Sequence, residues 1–212
     1  MIYDIHTKNI SFLKVSKMLR DRGVKNNKFM LTLYDKDLVG IDPYSKEVAN
    51  NPELQLKIYI EISKNYWYYI REFVRIPADG ADIPYELNLG NCTLGYLKRK
   101  NRNIILILPR QFGKTMGQTV YDSWVLNFAA YNANAIYLNK GKNDAIKNLK
   151  IWRDIRALFP KWMLENFVAD PKKDIDNQES KLVSKRNNTL KVVSPGNDPD
   201  TAEKNGRRID SF

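Results

Sequence analysis

A short loop near the middle of the chain has the residue types that bind phosphate. Residues 108–115 read LPRQFGKT and match the pattern G-x-x-x-x-G-K-[ST] at its last three fixed positions, with Leu108 in place of the first glycine. In such loops a glycine lets the backbone approach an anion, which backbone N–H groups and a helix N-terminus then bind. The lysine reaches the β- and γ-phosphates, and the hydroxyl holds Mg²⁺. The pattern therefore predicts that Gly113, Lys114 and Thr115 contact nucleotide phosphates and metal.

A bare Gly-Lys-Thr also occurs by chance, so a surface turn is the alternative interpretation. The context favours a nucleotide site, because the loop lies between a predicted buried strand and a predicted amphipathic helix. Arg110 precedes the glycine by three positions. From the residues alone, Arg110 is best interpreted as a surface arginine that pairs with a nearby acid.

The segments around this loop predict strands that alternate with helices. The apolar run 103–108 is typical of a strand buried on both faces of a parallel sheet. Met116, Val120, Trp124 and Phe128 recur every fourth residue and predict a helix. Further segments are a strand at 135–138, an amphipathic helix at 144–159 and a strand at 190–193. This order predicts an α/β fold with a parallel sheet covered by helices.

The preceding residues predict a mostly helical region. Residues 11–23 fit a short basic helix that ends at Gly23, and the apolar stretch 29–34 fits a strand or a buried turn. Residues 51–64 satisfy both helix and strand spacing, but the start Asn51-Pro52-Glu53 favours a helix. The remaining interpretations are a loop at 77–84, a helix at 87–98, and a basic cluster at 98–102 that is either a solvated helix end or a DNA contact.

Composition excludes several classes of protein. The net charge of +11 is compatible with a polyanionic partner, but it fits a merely soluble surface equally well. No apolar run is long enough to span a bilayer, so no membrane partner is expected. The single Cys92 and single His6 provide neither an internal disulfide nor a plausible structural zinc site. We therefore expect a reducing, intracellular setting.

The loop resembles that of the large terminase subunits of tailed bacteriophages, which depart from the first glycine and carry Arg-Gln before Gly-Lys-Thr. Here the stretch is Pro109-Arg110-Gln111-Phe112-Gly113-Lys114-Thr115. The resemblance covers most of residues 10–208 and supports a helix at 53–64. Its other segments are the aromatic-rich stretch 65–77 and the segments 87–91, 145–160 and 198–207.

The resemblance implies a role for each residue of the loop. Arg110 would be a cis-acting arginine that stabilises the γ-phosphate, which reverses the interpretation from the residues alone, and Lys114 would be the second catalytic residue. The implied phosphate-binding set is Arg110, Gln111, Phe112, Gly113, Lys114, Thr115 and Met116. Thr115 would bind Mg²⁺, so the implied cofactors are ATP and Mg²⁺. Relatives often use a glutamine for adenine, and in its absence Tyr85, Asn88 and Asn91 are weak candidates.

The sequence departs from the family after Arg207. Relatives place an apolar strand ending in Asp-Glu there, whereas this chain continues to Phe212 with Asp210 as a poor substitute. The resemblance thus implies an N-terminal region at 1–85, and a partial P-loop ATPase domain at 86–212 that lacks the catalytic acids and the nuclease domain. We expect weak nucleotide binding and negligible hydrolysis by this fragment.

The implied function is that of the ATP-binding part of a viral motor that translocates double-stranded DNA into a procapsid. The implied partners are double-stranded DNA, the portal protein, the small terminase subunit and a separately encoded C-terminal fragment. Such a protein acts in the host cell cytoplasm, docks transiently at the portal and is not part of the mature virion. The alternatives are a helicase-like DNA translocase fragment and a non-enzymatic basic module that binds DNA or a partner.

Overall fold

The structure, a computed structural model, combines helices with three small sheets. It describes residues 2–78, 81–101, 103–105, 107, 113–138, 141–170, 172–174, 177 and 180–193. The helices are α1 (Ile10–Asp21), α2 (Lys46–Ala49), α3 (Pro52–Lys64), α4 (Tyr66–Tyr68), α5 (Leu89–Lys100), α6 (Lys114–Trp124), α7 (Lys142–Ala157) and α8 (Lys161–Met163). The strands are β1 (Ile2–Tyr3), β2 (Thr32–Leu33), β3 (Arg75–Ala78), β4 (Ala81–Pro84), β5 (Asn134–Leu138), β6 (Ser180–Val183) and β7 (Asn188–Val193). The mixed α/β class is therefore confirmed.

Local signals set the ends of the N-terminal helices. The Asn51 side chain accepts hydrogen bonds from the backbone N–H groups of Glu53 (3.1 Å) and Leu54 (3.2 Å), so α3 is a helix, as its start predicts. The predicted helix at 11–23 is α1. It is followed by Gly23 at φ +79°, a left-handed conformation that favours glycine as a helix stop. The stretch 29–34 forms both elements considered for it, a 3₁₀ turn (Phe29–Leu31) and then β2.

Three helices end in a widened turn. α4 continues as a π-helix over Tyr69–Phe73, α6 over Val125–Ala129 and α8 over Leu164–Val168. In each case the N–H of the next residue closes the turn on a carbonyl five positions back, as from Ala130 to Val125 at 2.8 Å. Each wide turn is followed by a residue with extended backbone, so each of these helices ends at its wide turn.

The largest sheet has three strands in the order β5-β7-β6. β5 and β7 are parallel, with Asn134 opposite Thr189 and Leu138 opposite Val193, so the predicted strands at 135–138 and 190–193 are confirmed. The intervening helix α7 covers this pair with its apolar face, including Ala145, Leu149 and Trp152. However, β6, which the sequence does not predict, pairs antiparallel to β7, so the described sheet is mixed. A complete P-loop sheet is not formed by the described strands.

Two segments differ from the sequence prediction. The sequence predicts a loop at 77–84, but the described residues 77, 78 and 81–84 lie in the antiparallel strand pair β3–β4, in which Ile76 lies opposite Ile83. Residues 103–105 and 107 were expected in a buried strand, yet they are not in a strand, and Ile105 and Ile107 are 92% and 93% exposed. No described strand pairs with this run. Leu106 and Leu108 lie outside the described residues.

The core contains a cluster of four aromatic rings contributed by the extensions of α4 and α6 and by the bend that follows α7. Tyr69, Phe73, Phe128 and Phe159 contact one another in all six pairs, at centroid distances from 5.0 to 6.4 Å. All four are buried, and the Tyr69 hydroxyl donates a hydrogen bond to Ser123 Oγ at 3.0 Å. The division of the chain at residue 85 stays a prediction, but this cluster draws residues from both sides of it.

Tyr44 makes a second connection between distant segments. Its buried hydroxyl lies 2.8 Å from the carbonyl oxygen of Phe73 and 3.1 Å from that of Leu158, at the C-terminal ends of the α4 extension and α7. The Arg75 guanidinium covers the Tyr44 ring at 4.1 Å. Burial raises the pKa of this hydroxyl well above its ordinary value, so it remains a hydrogen-bond donor.

In the ranges that the structure describes, no helix is both long enough and apolar enough to cross a membrane.

Candidate functional site

The predicted phosphate loop ends where α6 begins. Gly113 is the residue before the helix and adopts φ +72° and ψ 10°, in the left-handed region. An L-residue with a side chain is strained in that conformation by about 1–2 kcal/mol, whereas glycine is not. The Gly-Lys-Thr sequence therefore has a glycine at the position where the backbone requires one.

The first turn of α6 presents unoccupied backbone donors. Gly117 is the first residue whose N–H bonds within the helix, to the carbonyl of Gly113 at 3.0 Å. The N–H groups of Lys114, Thr115 and Met116 precede it, and no side chain caps them among the described residues. The first turn contains no acidic residue. These donors and the helix dipole favour an anion at this end of α6.

The start of α7 provides a useful contrast, because it also has a glycine followed by a lysine. Gly141 precedes Lys142, but its φ of −110° and ψ of 137° are ordinary extended values. Asp144 lies in the first turn, and its carboxylate is 3.6 Å from where a Cβ on Gly141 would be. A negative charge there competes with an external anion for the same donors. Both helix starts thus contain a Gly-Lys pair, but they differ in the backbone conformation of the glycine and in the charge of the first turn.

Two further residues of the predicted loop, Thr115 and Met116, are among the described residues. The Thr115 side chain is exposed, and its carbonyl oxygen accepts a hydrogen bond from Thr119 Oγ1 at 2.9 Å. Met116 is half-buried and packs against the core. Arg110, Gln111 and Phe112, together with the side chain of Lys114, lie outside the described residues. Their roles stay predictions.

The three adenine candidates occupy different environments. Tyr85 is buried, and burial raises the pKa of its hydroxyl. Asn88 is the N-cap of α5, where its side-chain oxygen accepts a hydrogen bond from the backbone N–H of Asn91 at 2.8 Å. Asn91 is half-buried and lies beside the start of α6. Of these three residues, Asn91 is the one that lies beside the described part of the predicted loop, at Gly113.

Asn91 contacts α6 through two glycines. A Cβ on Gly113 would lie 3.8 Å from Asn91 Oδ1, and a Cβ on Gly117 would lie only 3.3 Å from the same atom. The latter distance is tighter than ordinary packing, so Gly117 lets α5 approach the first turns of α6. The supporting role of Gly117 was not predicted, although a glycine inside a helical pattern usually has a packing reason.

A polar network connects α5, α6 and β5 behind the loop. Lys98 Nζ contacts Gln118 Oε1, and the Gln118 amide donates to both carboxylate oxygens of Asp122, at 2.8 and 2.9 Å. The Tyr137 hydroxyl donates to Asp122 Oδ2 at 3.1 Å. Burial lowers the pKa of Lys98 to about 8 and raises the pKa of Asp122 above its ordinary range. Only the spacing of Gln118 and Asp122, four residues apart on one helix, signals this network in the sequence.

Protein side chains form no evident metal centre in the described part of the chain. No group of three or more His, Cys, Asp or Glu residues is arranged to hold an ion there. The free Cys92 is 3% exposed, and burial raises its pKa to about 12, which makes it a poor ligand and nucleophile.

No protein-family model and no curated protein matches the sequence.

Proposed function

We propose that the start of α6 binds the phosphates of ATP with Mg²⁺, and that the chain is the nucleotide-binding part of a DNA-packaging motor similar to large terminase subunits. The observation that carries the nucleotide proposal is the left-handed Gly113 directly before a helix with open N–H groups. Lys114 and Thr115 follow it, in the order that phosphate loops use.

The geometry supports an anionic ligand at this end of the helix. The N-terminus of a helix has roughly half a positive elementary charge, and three consecutive N–H groups are available to phosphate oxygens. The neighbouring Asn91 places a side-chain amide beside Gly113, at the start of α6. A phosphate can therefore approach the start of α6 without a change in the described backbone.

The residues also fit the cofactor chemically. Bound ATP would supply the phosphoanhydride bond whose cleavage drives a motor, and Mg²⁺ would neutralise its oxygens. In this arrangement Lys114 binds the β- and γ-phosphates, Thr115 holds the metal through its hydroxyl, and Arg110 stabilises charge on the γ-phosphate. The backbone of Gln111, Phe112 and Met116 completes the loop. The DNA-packaging role rests on the resemblance, and the net charge of +11 is compatible with it.

Fluorescence titration with an ATP analogue tests the nucleotide proposal. Lys114→Ala removes charge-assisted hydrogen bonds of about 1.5–3 kcal/mol, so affinity should fall roughly 10- to 100-fold. Lys142→Ala is the matched control, because it removes a lysine after a glycine at the start of α7. That control should bind as the unaltered chain does. Equal losses in the two variants, or no loss in either, would contradict the proposed site.

Competition distinguishes a nucleotide site from a simple anion site. ATP with Mg²⁺ should displace the analogue at concentrations at least about 10-fold below those needed for inorganic phosphate, because more phosphate groups and the metal contact the loop. Equal potency of ATP and inorganic phosphate would favour a non-enzymatic basic module instead.

A further inference from the structure

The positive charge of this chain is concentrated in one segment. Residues 8–28 contain seven lysines and arginines against one acid, Asp21, a net charge of +6 out of the +11 of the whole chain. This segment is only about a tenth of the sequence. An even distribution would place about one net charge there, so the surface that carries it has a strong local potential.

Packing of α1 sets the direction in which this charge points. Phe12, Val15 and Ser16 are buried against the core, so Lys14 and Lys17 lie on the exposed side of the helix. The following turn is exposed as well, including its cations, which are Arg22, Lys25 and Lys28. The core contact of α1 thus holds a cationic face outward.

Few of these cations are neutralised. Within the described ranges, the only ion pair formed by residues 8–28 joins Arg20 to its neighbour Asp21 at 3.6 Å, and both side chains are more than half exposed. By contrast, Lys57 on α3 contacts two carboxylates, those of Asp37 at 2.9 Å and Glu53 at 2.8 Å. The charge in α1 and its turn is therefore available to an external anion.

A second basic cluster lies at the end of α5. Its three consecutive cations each lie over an aromatic ring, namely Lys98 over Tyr121 (4.9 Å), Arg99 over Trp124 (5.4 Å) and Lys100 over Tyr96 (6.0 Å). In the described structure none of the three forms an ion pair with a carboxylate. Contact with the rings limits the motion of the cationic side chains, which lowers the entropic cost of binding through them.

An aromatic contact joins the two clusters. Phe29 directly follows Lys28, and its ring packs against Tyr96 at 5.5 Å and against Trp67 at 4.9 Å. Tyr96 lies one helical turn before Lys100, whose ammonium group is over its ring. The backbone at Lys28 is thus held close to the end of α5, although 72 positions separate Lys28 from Lys100, and the Lys28 ammonium group lies over the Tyr3 ring at 5.9 Å.

We propose that residues 14–28 and 98–100 form one basic surface that binds the sugar–phosphate backbone of double-stranded DNA without reading its sequence. The inference rests on the proposed function only for the identity of the polyanion. The rings beneath Lys98 and Arg99 are covered, because Trp124 is 8% exposed and Tyr121 is half-buried, whereas Tyr96 beneath Lys100 is 45% exposed. Single strands bind through runs of bases stacked on accessible rings, so the covered rings at Lys98 and Arg99 favour a duplex there.

The test measures binding of a fluorescent duplex of arbitrary sequence to the full chain over a range of salt concentrations. One variant combines Lys14→Gln, Lys17→Gln, Lys25→Gln and Lys28→Gln. The matched control combines Lys46→Gln, Lys147→Gln, Lys150→Gln and Lys161→Gln, which are equally exposed and change the net charge equally. A duplex phosphate contact contributes about 0.9 to the slope of log affinity against log salt, which is roughly fivefold in affinity at physiological salt.

If two of the four lysines contact phosphates, the surface variant should bind about 30-fold more weakly, with a slope smaller by about 2. The control should stay within about threefold of the unaltered chain. A second variant, Lys28→Gln with Lys100→Gln, tests the junction and should also weaken binding. Equal weakening by surface and control variants would refute the proposal, as would tighter binding of a single strand than of the duplex.

Nucleotide binding by the same variants separates this inference from the proposed function. The surface variant should bind the ATP analogue as the unaltered chain does, because its substitutions lie outside the start of α6. Loss of DNA binding with intact nucleotide binding supports a separate surface. DNA binding through this surface in a chain that binds no nucleotide would refute the proposed function and leave the surface in place.

Discussion

The contact between Phe73 and Phe128 provides a direct test of whether the two parts of the chain fold as one unit. Phe73 ends the extension of α4, Phe128 lies in the extension of α6, and their rings meet edge to face at 5.7 Å. Both are fully buried. The proposed perturbation is a double-mutant cycle with Phe73→Leu and Phe128→Leu, because leucine keeps most of the apolar volume and removes the aromatic contact.

The expected magnitudes follow from this geometry. Each single substitution keeps an apolar side chain of similar size, so it should lower the free energy of unfolding by about 1–1.5 kcal/mol. An edge-to-face pair contributes about 0.5–1.5 kcal/mol beyond its buried area. The double variant should therefore be less destabilised than the sum of the singles by about that amount. Phe12→Leu with Phe128→Leu is the control, and these should add within about 0.5 kcal/mol, because no ring contact joins them in the described structure.

The assay is urea unfolding followed by circular dichroism and by tryptophan fluorescence. One cooperative transition, coincident by both probes, is expected for the unaltered chain and for each variant. A coupling energy below about 0.3 kcal/mol for Phe73 and Phe128 would refute the argument that their contact joins the two parts. Two separate transitions would refute it as well, and would favour independent folding of residues 1–85 and 86–212.

Three further substitutions test individual features. Gly113→Ala places a side chain in a left-handed conformation, and among the described residues its Cβ meets nothing closer than Asn91 Oδ1 at 3.8 Å. Its thermal midpoint should therefore fall by the equivalent of about 1–2 kcal/mol without a clash, and an unchanged midpoint would contradict the geometry. Burial raises the pKa of Cys92 from 9.0 to about 12, so the buried thiol should react with a thiol reagent only as fast as the protein opens. Because the thiol ionises at lower pH in the unfolded chain, the free energy of unfolding should decrease as pH rises from about 9 towards 12. The decrease should be smaller in Cys92→Ala, and an equal dependence of the free energy on pH in both proteins would exclude Cys92 as a cause. Arg156 and Asp174 pair at 2.7 Å with side chains 7% and 9% exposed, so Asp174→Asn should cost about 3–5 kcal/mol in urea unfolding. Arg156→Met combined with Asp174→Leu should recover part of that loss, and a larger loss in the combined variant would contradict the reasoning.

Sequence reasoning predicted the elements whose signals are local. The cap at Asn51 decided between helix and strand for α3, and Gly23 marked the end of α1. Periodicity predicted α6 and α7, and short apolar runs predicted β5 and β7. In each case the residues that carry the signal are within one or two turns of the element that they define, so no knowledge of the tertiary structure is needed.

The elements that it missed depend on pairing with distant residues. β6 exists because Ser180–Val183 pairs antiparallel with β7, and its own residues have no strong strand pattern. The hairpin β3–β4 contains Pro77 and Pro84, which are typical of loops but are tolerated in an isolated two-stranded sheet with free edges. Conversely, the apolar run 103–108 has a strong strand pattern, yet its described residues have no partner strand.

The candidate site was predictable at the level of the motif but not of its support. The pattern located Gly113, Lys114 and Thr115 at a helix start, and the backbone there matches it. The approach of Asn91 to Gly117 depends on how α5 crosses α6, which the spacing of neither helix reveals. Assignment of Asn91 to an adenine site came from its position before the loop, whereas its contact is with the loop itself.

The hydroxyl of Tyr44 has only one proton but two acceptors, the carbonyl oxygens that end the α4 extension and α7. The proton can be shared only while both carbonyls stay within hydrogen-bonding distance. A displacement that takes one helix end beyond hydrogen-bonding distance would leave its carbonyl without this donor. The two ends should therefore move as a pair. The vibrational frequency of an isotopically labelled Leu158 carbonyl would report such a displacement before any contact in the core is lost.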